Sequence, residues 1–176
     1  MTAPDHDHLV RFVQESTHNV LSTMFNLEPR PLQSYVDARA EPVADGVVSL
    51  IGLAGEWAGT GSIYCSAECA CKLSSEFLGM KYTNVDDDVL DAIAELTNMI
   101  IGNVKTQLEE CVGPLGLSIP TVVYGRNFSA RTVGNASWTV VPFELGSEQF
   151  HVQICLAANK SGMKLHAHPG HVGVPA

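Results

Sequence analysis

The stretch Asp91-Ala-Ile-Ala-Glu95-Leu-Thr-Asn98-Met-Ile-Ile-Gly102-Asn103 decides how the rest of this chain is read. At about 3.6 residues per turn, Leu90, Ile93, Thr97, Ile100, Val104 and Leu108 gather into one stripe. Asp91, Glu95, Asn98 and Gly102 gather into another, roughly 150° away around the helix. The spacing predicts a helix with one side in a core and a polar side facing outward. Glu95 and Asn98 stand at i and i+3, which sets their side chains next to each other, about 5–6 Å apart at Cβ. Asparagine is a poor helix-interior residue, and a glycine there costs about 0.8–1 kcal/mol against alanine. A helix carrying both beside a carboxylate gives up local stability on one face. A solvated face would show the same periodicity, and glycine serves helix packing equally well, so spacing alone leaves both readings open.

Outward from this helix, Asp86-Asp87-Asp88 suits its positive end, and Gly113, Pro114 and Gly116 break the chain after about Cys111. Upstream, Ser66 is placed to cap a helix over Ala67–Leu78 that Gly79 stops. Before it, Gly46–Gly55 and Ser62–Ser66 read as a hairpin around a turn at Glu56–Gly61. A first helix is predicted from Leu9 to about Leu27, with Val10, Phe12, Val13, Val20, Leu21, Met24 and Phe25 at helical spacing and Pro29 and Pro31 ending it. Downstream, Ser118–Tyr124, Ser137–Leu145 and Gln149–Leu156 read as strands, with turns at Gly134-Asn135 and Gly146-Ser147. The order α-β-β-α-α-β-β-β predicts an α+β fold, helices packed on one face of a largely antiparallel sheet. Residues 9–158 form one domain, with 1–8 and 159–176 as flexible termini.

Hydrophobic residues make up 45% of the 176 and charged residues 16%, which favours a packed globule over a disordered chain. A net charge of −9 argues against nucleic acid and against an anionic membrane surface as partners. No run of about 18 apolar residues predicts a membrane span, and the acidic start Met1–His8 lacks the pattern of a signal peptide. Five cysteines, three of them crowded at Cys65, Cys69 and Cys71, are not a disulfide framework; buried, reduced thiols in a cytoplasm account for them. His166, His168 and His171, with His6 and His8, resemble a metal-binding tract. A flexible end is a poor place for the four ordered ligands that structural zinc demands, so no metal site is expected. His18 is read as a packing or surface residue, and Trp57 and Trp138 as core or edge aromatics. No phosphate loop, Ser/His/Asp order or zinc-protease motif is present.

Asp91-x3-Glu95-x2-Asn98, with Pro120 22 residues further on, resembles the signature of the CheC/CheX/FliY chemotaxis phosphatases. Glu95-Leu-Thr-Asn98-Met-Ile-Ile-Gly102-Asn-Val-Lys105 looks like the helix that carries that family's active pair, and the likeness extends over roughly residues 9–158. Members with two centres carry a second Glu-x2-Asn in the first helix. Here that segment is Glu15-Ser-Thr-His18, so one centre is expected, which is similar to the CheX branch. The resemblance implies a CheC-like fold and a cytoplasmic homodimer. Its implied activity is hydrolysis of the aspartyl phosphate on a CheY-type response regulator, in chemotaxis or two-component signalling. Glu95 and Asn98 would be the catalytic pair: Asn98 holding the attacking water, Glu95 gripping a receiver lysine. Asp91, Met99, Gly102 and Pro120 would be supporting or partner-binding positions; Asp91 either orients Glu95's surroundings or sits in solvent, and Pro120 shapes nearby backbone. No cofactor of its own is implied, since Mg2+ would come with the receiver. The rival reading is a non-catalytic module that docks a receiver through the same helix.

Overall fold

The computed structural model describes residues 4–37, 43–128 and 137–159. The described elements run in the order α1 (His6–Phe25), β1 (Arg30–Pro31), β2 (Tyr35–Asp37), β3 (Val43–Gly55), β4 (Trp57–Cys65), α2 (Ala67–Leu78), α3 (Asp87–Val112), β5 (Leu115–Leu117), β6 (Thr121–Phe128), β7 (Trp138–Leu145) and β8 (Glu148–Ala158). The strands make one eight-stranded antiparallel sheet, β1-β7-β8-β4-β3-β5, with β2 also on β7 and β6 also on β3. Helices pack on one face of it, as the α+β reading expects.

Two-residue alternation in the strands sends Val47, Ile51 and Leu53 of β3, Ile63 and Cys65 of β4, Val141, Phe143 and Leu145 of β7, and Phe150, Val152 and Ile154 of β8 into one buried cluster. The helices supply the other half of that core: Leu9, Val13 and Leu21 from α1, Leu73 from α2, and seven apolar residues of α3 from Val89 to Leu108. Helix α3 lies centrally, packing on α1, α2, β3 and β4. The Gln107 amide donates to Ser16 Oγ on α1 (3.1 Å), and the buried Ser74 hydroxyl of α2 donates to the Val89 carbonyl (3.3 Å).

Several boundaries depart from the sequence reading. Helix α1 starts at His6, inside the stretch expected to be a flexible terminus, because the Asp5 carboxylate accepts the His8 N–H (2.9 Å) and caps it. It ends at Phe25, before either proline, because Asn26 adopts φ 52° and the Asn26 and Leu27 N–H groups close the last turn. The expected turn at Glu56–Gly61 is strand from Trp57 onward, and only Gly55-Glu56-Trp57 bends. Gly59 and Gly61 are there for close approach: a Cβ on Gly59 would strike the Cys155 carbonyl, and one on Gly61 would lie 2.6 Å from Ile101. Strand β8 continues to Ala158, and Asn159 donates to the Glu56 carbonyl (2.8 Å), so order extends past the expected edge of the domain. Strands β1, β2 and β5 are additional, and β6 begins at Thr121 where Ser118 was expected. The Gly134-Asn135 turn and the histidines from His166 onward lie outside the described residues.

Candidate functional site on the outer face of α3

Helix α3 is capped by Asp86, whose carboxylate accepts the Val89 N–H (3.0 Å), with Asp87 and Asp88 in the first turn facing the helix's positive end. Its inward arc is wider than the predicted stripe: Val89, Ala92, Leu96 and Ile101 are buried along with Ile93, Thr97, Ile100, Val104 and Leu108, and Leu90 is half-buried. The buried Thr97 hydroxyl donates to the Ile93 carbonyl (2.7 Å) and so is satisfied within the helix. Because Gly61 has no side chain, Ile101 presses directly onto the sheet.

The opposite arc carries the predicted group. Asp91 and Glu95 are exposed, and Asn98 and Gly102 are half-buried. Neither Glu95 nor Asn98 hydrogen-bonds or pairs with any described residue. A carboxylate and a carboxamide therefore stand side by side, both unspent, on a helix fixed from behind. Met99 differs from the rest of the group: it is half-buried and packs against the core at the border of the face.

Gly102 is not forced by crowding, since a Cβ there would meet only Leu117 at 3.9 Å, an ordinary contact. Its effect is to keep the turn low beside the segment that leads from β5 into β6. That segment is pinned: the Ser118 N–H donates to the Gly52 carbonyl (2.9 Å), Ser118 Oγ accepts the Gly52 N–H (2.8 Å), and the same hydroxyl donates to the Ile119 carbonyl (2.8 Å). Ile119 is held 86% exposed, and Pro120 follows half-buried at the entrance to β6. Pro120 thus belongs to the loop flanking the face, not to the face itself.

At the other end of the face lies a hollow of about 360 Å3 walled by Phe77, Leu78, Met80, Tyr82, Ala92, Asp88 and Asp91. The Tyr82 hydroxyl donates to Asp88 (3.3 Å), and partial burial together with the Asp88 charge pushes the phenol's pKa up. Sequence reasoning missed Leu78, Met80 and Tyr82. The available signal was a pair of large apolar residues on either side of Gly79, where the chain leaves one helix for the next. A larger hollow of about 760 Å3 beside α2 mixes Lys72 and Lys81 with Glu68, Glu76 and Glu148, and no chemistry converges there.

The remaining candidates resolve into structural roles. On α1, Glu15 and His18 are exposed, and His18 Nδ1 lies 3.7 Å from Glu28. His6 meets Thr139 Oγ1 (3.2 Å) and His8 bonds the capping Asp5 (2.7 Å). Among the described residues, no three His, Cys, Asp or Glu side chains gather as a metal would require. Cys65, Cys69, Cys71 and Cys155 are buried and form no disulfide; a hydrogen bond with Cys69, with burial second, raises the Cys65 pKa. Trp138 is buried and Trp57 half-buried. No described helix is long and apolar enough to cross a membrane.

The CheY-P phosphatase CheX of Thermotoga maritima is 29% identical over 120 residues, 68% of this chain and 77% of that protein. The crystal structure of chemotaxis protein CheX from Desulfovibrio desulfuricans superposes with a TM-score of 0.75 at 29% identity, covering 85% of this chain and 99% of that one. The CheX of the Borrelia burgdorferi CheX–CheY–BeF3–Mg2+ complex shares the fold, with a TM-score of 0.73 at 24% identity over 84% of this chain and 97% of that one. Residues 47–144 match the chemotaxis phosphatase CheX family, and that match runs from within β3 to the penultimate residue of β7 and takes in the whole of α3: the chain belongs to the CheX family.

Proposed function

We propose that this protein hydrolyses the aspartyl phosphate of a CheY-type response regulator, with Glu95 and Asn98 as its working pair. The observation that carries the reading is their placement: side by side on the outward arc of α3, with no described partner. Family membership supports it, as does the CheY-P phosphatase activity named for the Thermotoga relative.

The chemistry asks little covalent work of the protein. In-line attack by water on an acyl phosphate passes through a transition state stabilised by positioning and charge. A carboxamide both donates and accepts, so Asn98 can hold a water against phosphorus. Orientation of that kind lowers a barrier by several kcal/mol. Glu95 pairs with a lysine of the receiver and sets α3 beside the phosphate. Asp91 and Gly102 border the contact, Gly102 by offering no side chain to it. Mg2+ belongs to the receiver and arrives with it. The protein acts in the cytoplasm, and as a homodimer; the dimer is supported by β6, an outer strand with no second described neighbour and exposed residues Thr121, Val123 and Tyr124. Light scattering should return the mass of two chains.

The test mixes the protein with a phosphorylated receiver and Mg2+ and follows phosphate release. Asn98→Ala should reduce release to the receiver's own rate while a complex still forms. Wild-type protein that adds nothing to the receiver's own rate would sink the catalytic reading.

A further inference from the structure

We infer that the hollow between the end of α2 and the start of α3 is a docking pocket in which a receiver domain seats an apolar side chain flanked by a basic one. The inference rests on the proposed phosphatase reading and extends its contact surface beyond Glu95 and Asn98.

The walls carry the first part of the argument. Gly79, at φ +66°, turns the chain so that Leu78 and Met80 flank the same concavity, where they remain 39% and 61% exposed. Scattered apolar residues on a surface need no explanation, but a group lining one cavity does. Phe77 lies against Phe25, with ring centroids 5.0 Å apart and the rings tilted by 35°, and Ala92 adds a small residue to the lining. The hollow is thus a mainly apolar socket of the kind that accepts an interface anchor.

Its rim selects the occupant. Asp88 and Asp91 line it directly, Asp86 and Asp87 precede them, and no described cation pairs with any of the four. A partner surface that is apolar and basic fits; an acidic one is repelled. A second copy of this chain, with an overall net charge of −9, complements the rim less well than a basic surface does. Continuity selects it as well. Asp91 lies one turn before Glu95 on the same arc, about 6 Å along the axis. A receiver engaged at Glu95 and Asn98 therefore overhangs the socket.

Binding is measured with a receiver loaded with Mg2+ and beryllofluoride, and turnover with the phosphorylated receiver. The double substitution Leu78→Ser with Met80→Ser should weaken binding about tenfold. It should raise the receiver concentration for half-maximal rate by a similar factor, and the limiting rate should persist. Both residues are exposed, so folding should survive, which a melting curve checks. Ala92→Leu, which narrows the socket from its lining instead of stripping it, should weaken binding likewise; Ala92 is 4% exposed, so its melting curve is checked in the same way. Asp88→Asn with Asp91→Asn should flatten the dependence of affinity on salt. Unchanged affinity in the double variant and in Ala92→Leu overturns the inference, and so does a change of oligomeric state in place of affinity, which would assign the socket to a second copy. The two readings fail separately. Wild-type protein that binds the loaded receiver through this socket but releases no phosphate would remove the phosphatase reading and leave the pocket.

Discussion

Asn98 weakens its own helix by propensity and contributes no hydrogen bond to any described residue in return. Replacing it with alanine should therefore leave the melting temperature unchanged or raise it slightly, by well under about 1 kcal/mol of stability, while phosphate release collapses. Glu95→Ala should be equally mild for the fold and should weaken the complex with a beryllofluoride-loaded receiver. Ile100→Asp sets the contrast. Its side chain is wholly buried between α3 and its neighbours, so an unpaired carboxylate there should cost several kcal/mol or unfold the domain, read by thermal or urea unfolding. Equal damage from Glu95→Ala and Ile100→Asp would mean the two faces of α3 have been assigned backwards. At this scale the opposed faces of α3 were legible, because a regular helix converts spacing into direction, while the full width of its buried arc was not. Met99 shows the boundary of that logic: it sits at the seam between arcs, and only packing decides that it leans on the core.

Helices α2 and α3 were legible almost to the residue, since Ser66 and Asp86 cap them and Gly79 and Gly113 end them. Strands β1, β2 and β5, two or three residues long, were not; an alternating pattern cannot be detected in so short a run. Gly59 and Gly61 misled because a glycine admitting a neighbour and a glycine making a turn look identical in sequence. Gly61→Ala tests the distinction. Its methyl must displace Ile101, and overpacking of this kind destabilises by about 1–3 kcal/mol, measurable as a lowered urea midpoint. The far end of α3 offers a pH test. Glu109 accepts the Leu115 N–H (2.8 Å) and pairs with Lys105 (2.7 Å), and the first of these, then the second, lowers its pKa below 4.5. Its stabilising contribution is present above the unfolded value and is lost as pH falls through the lower folded value. The stability gap between wild type and Glu109→Gln should thus be widest near neutrality and close in acid, as denaturant titrations at several pH values would reveal. A gap that widened in acid would contradict the anchor.

For the molecule as a whole, the layering was legible and the strand order was not. Hairpins β3–β4 and β7–β8 follow from neighbouring segments, whereas the β4–β8 and β3–β6 pairings join strands far apart in the chain, and no local signal records them. The docking socket was invisible for a similar reason, its walls coming from the end of one helix, a loop and the start of another. The cysteines give a global check on packing. Of the five, only Cys111 is better than marginally accessible, so a thiol reagent should modify about one group per native chain and all five after unfolding. Fast reaction of three or more would mean the core is looser than its burial implies. Finally, the notch at Gly61 indexes α3 as a key indexes a shaft. Residues added beyond either end of the helix would leave the pair aimed as before, but one residue inserted between Asn98 and Ile101 would swing it by about 100° toward its neighbours. Length changes in this lineage should accordingly be tolerated at the helix termini and excluded from those few central positions.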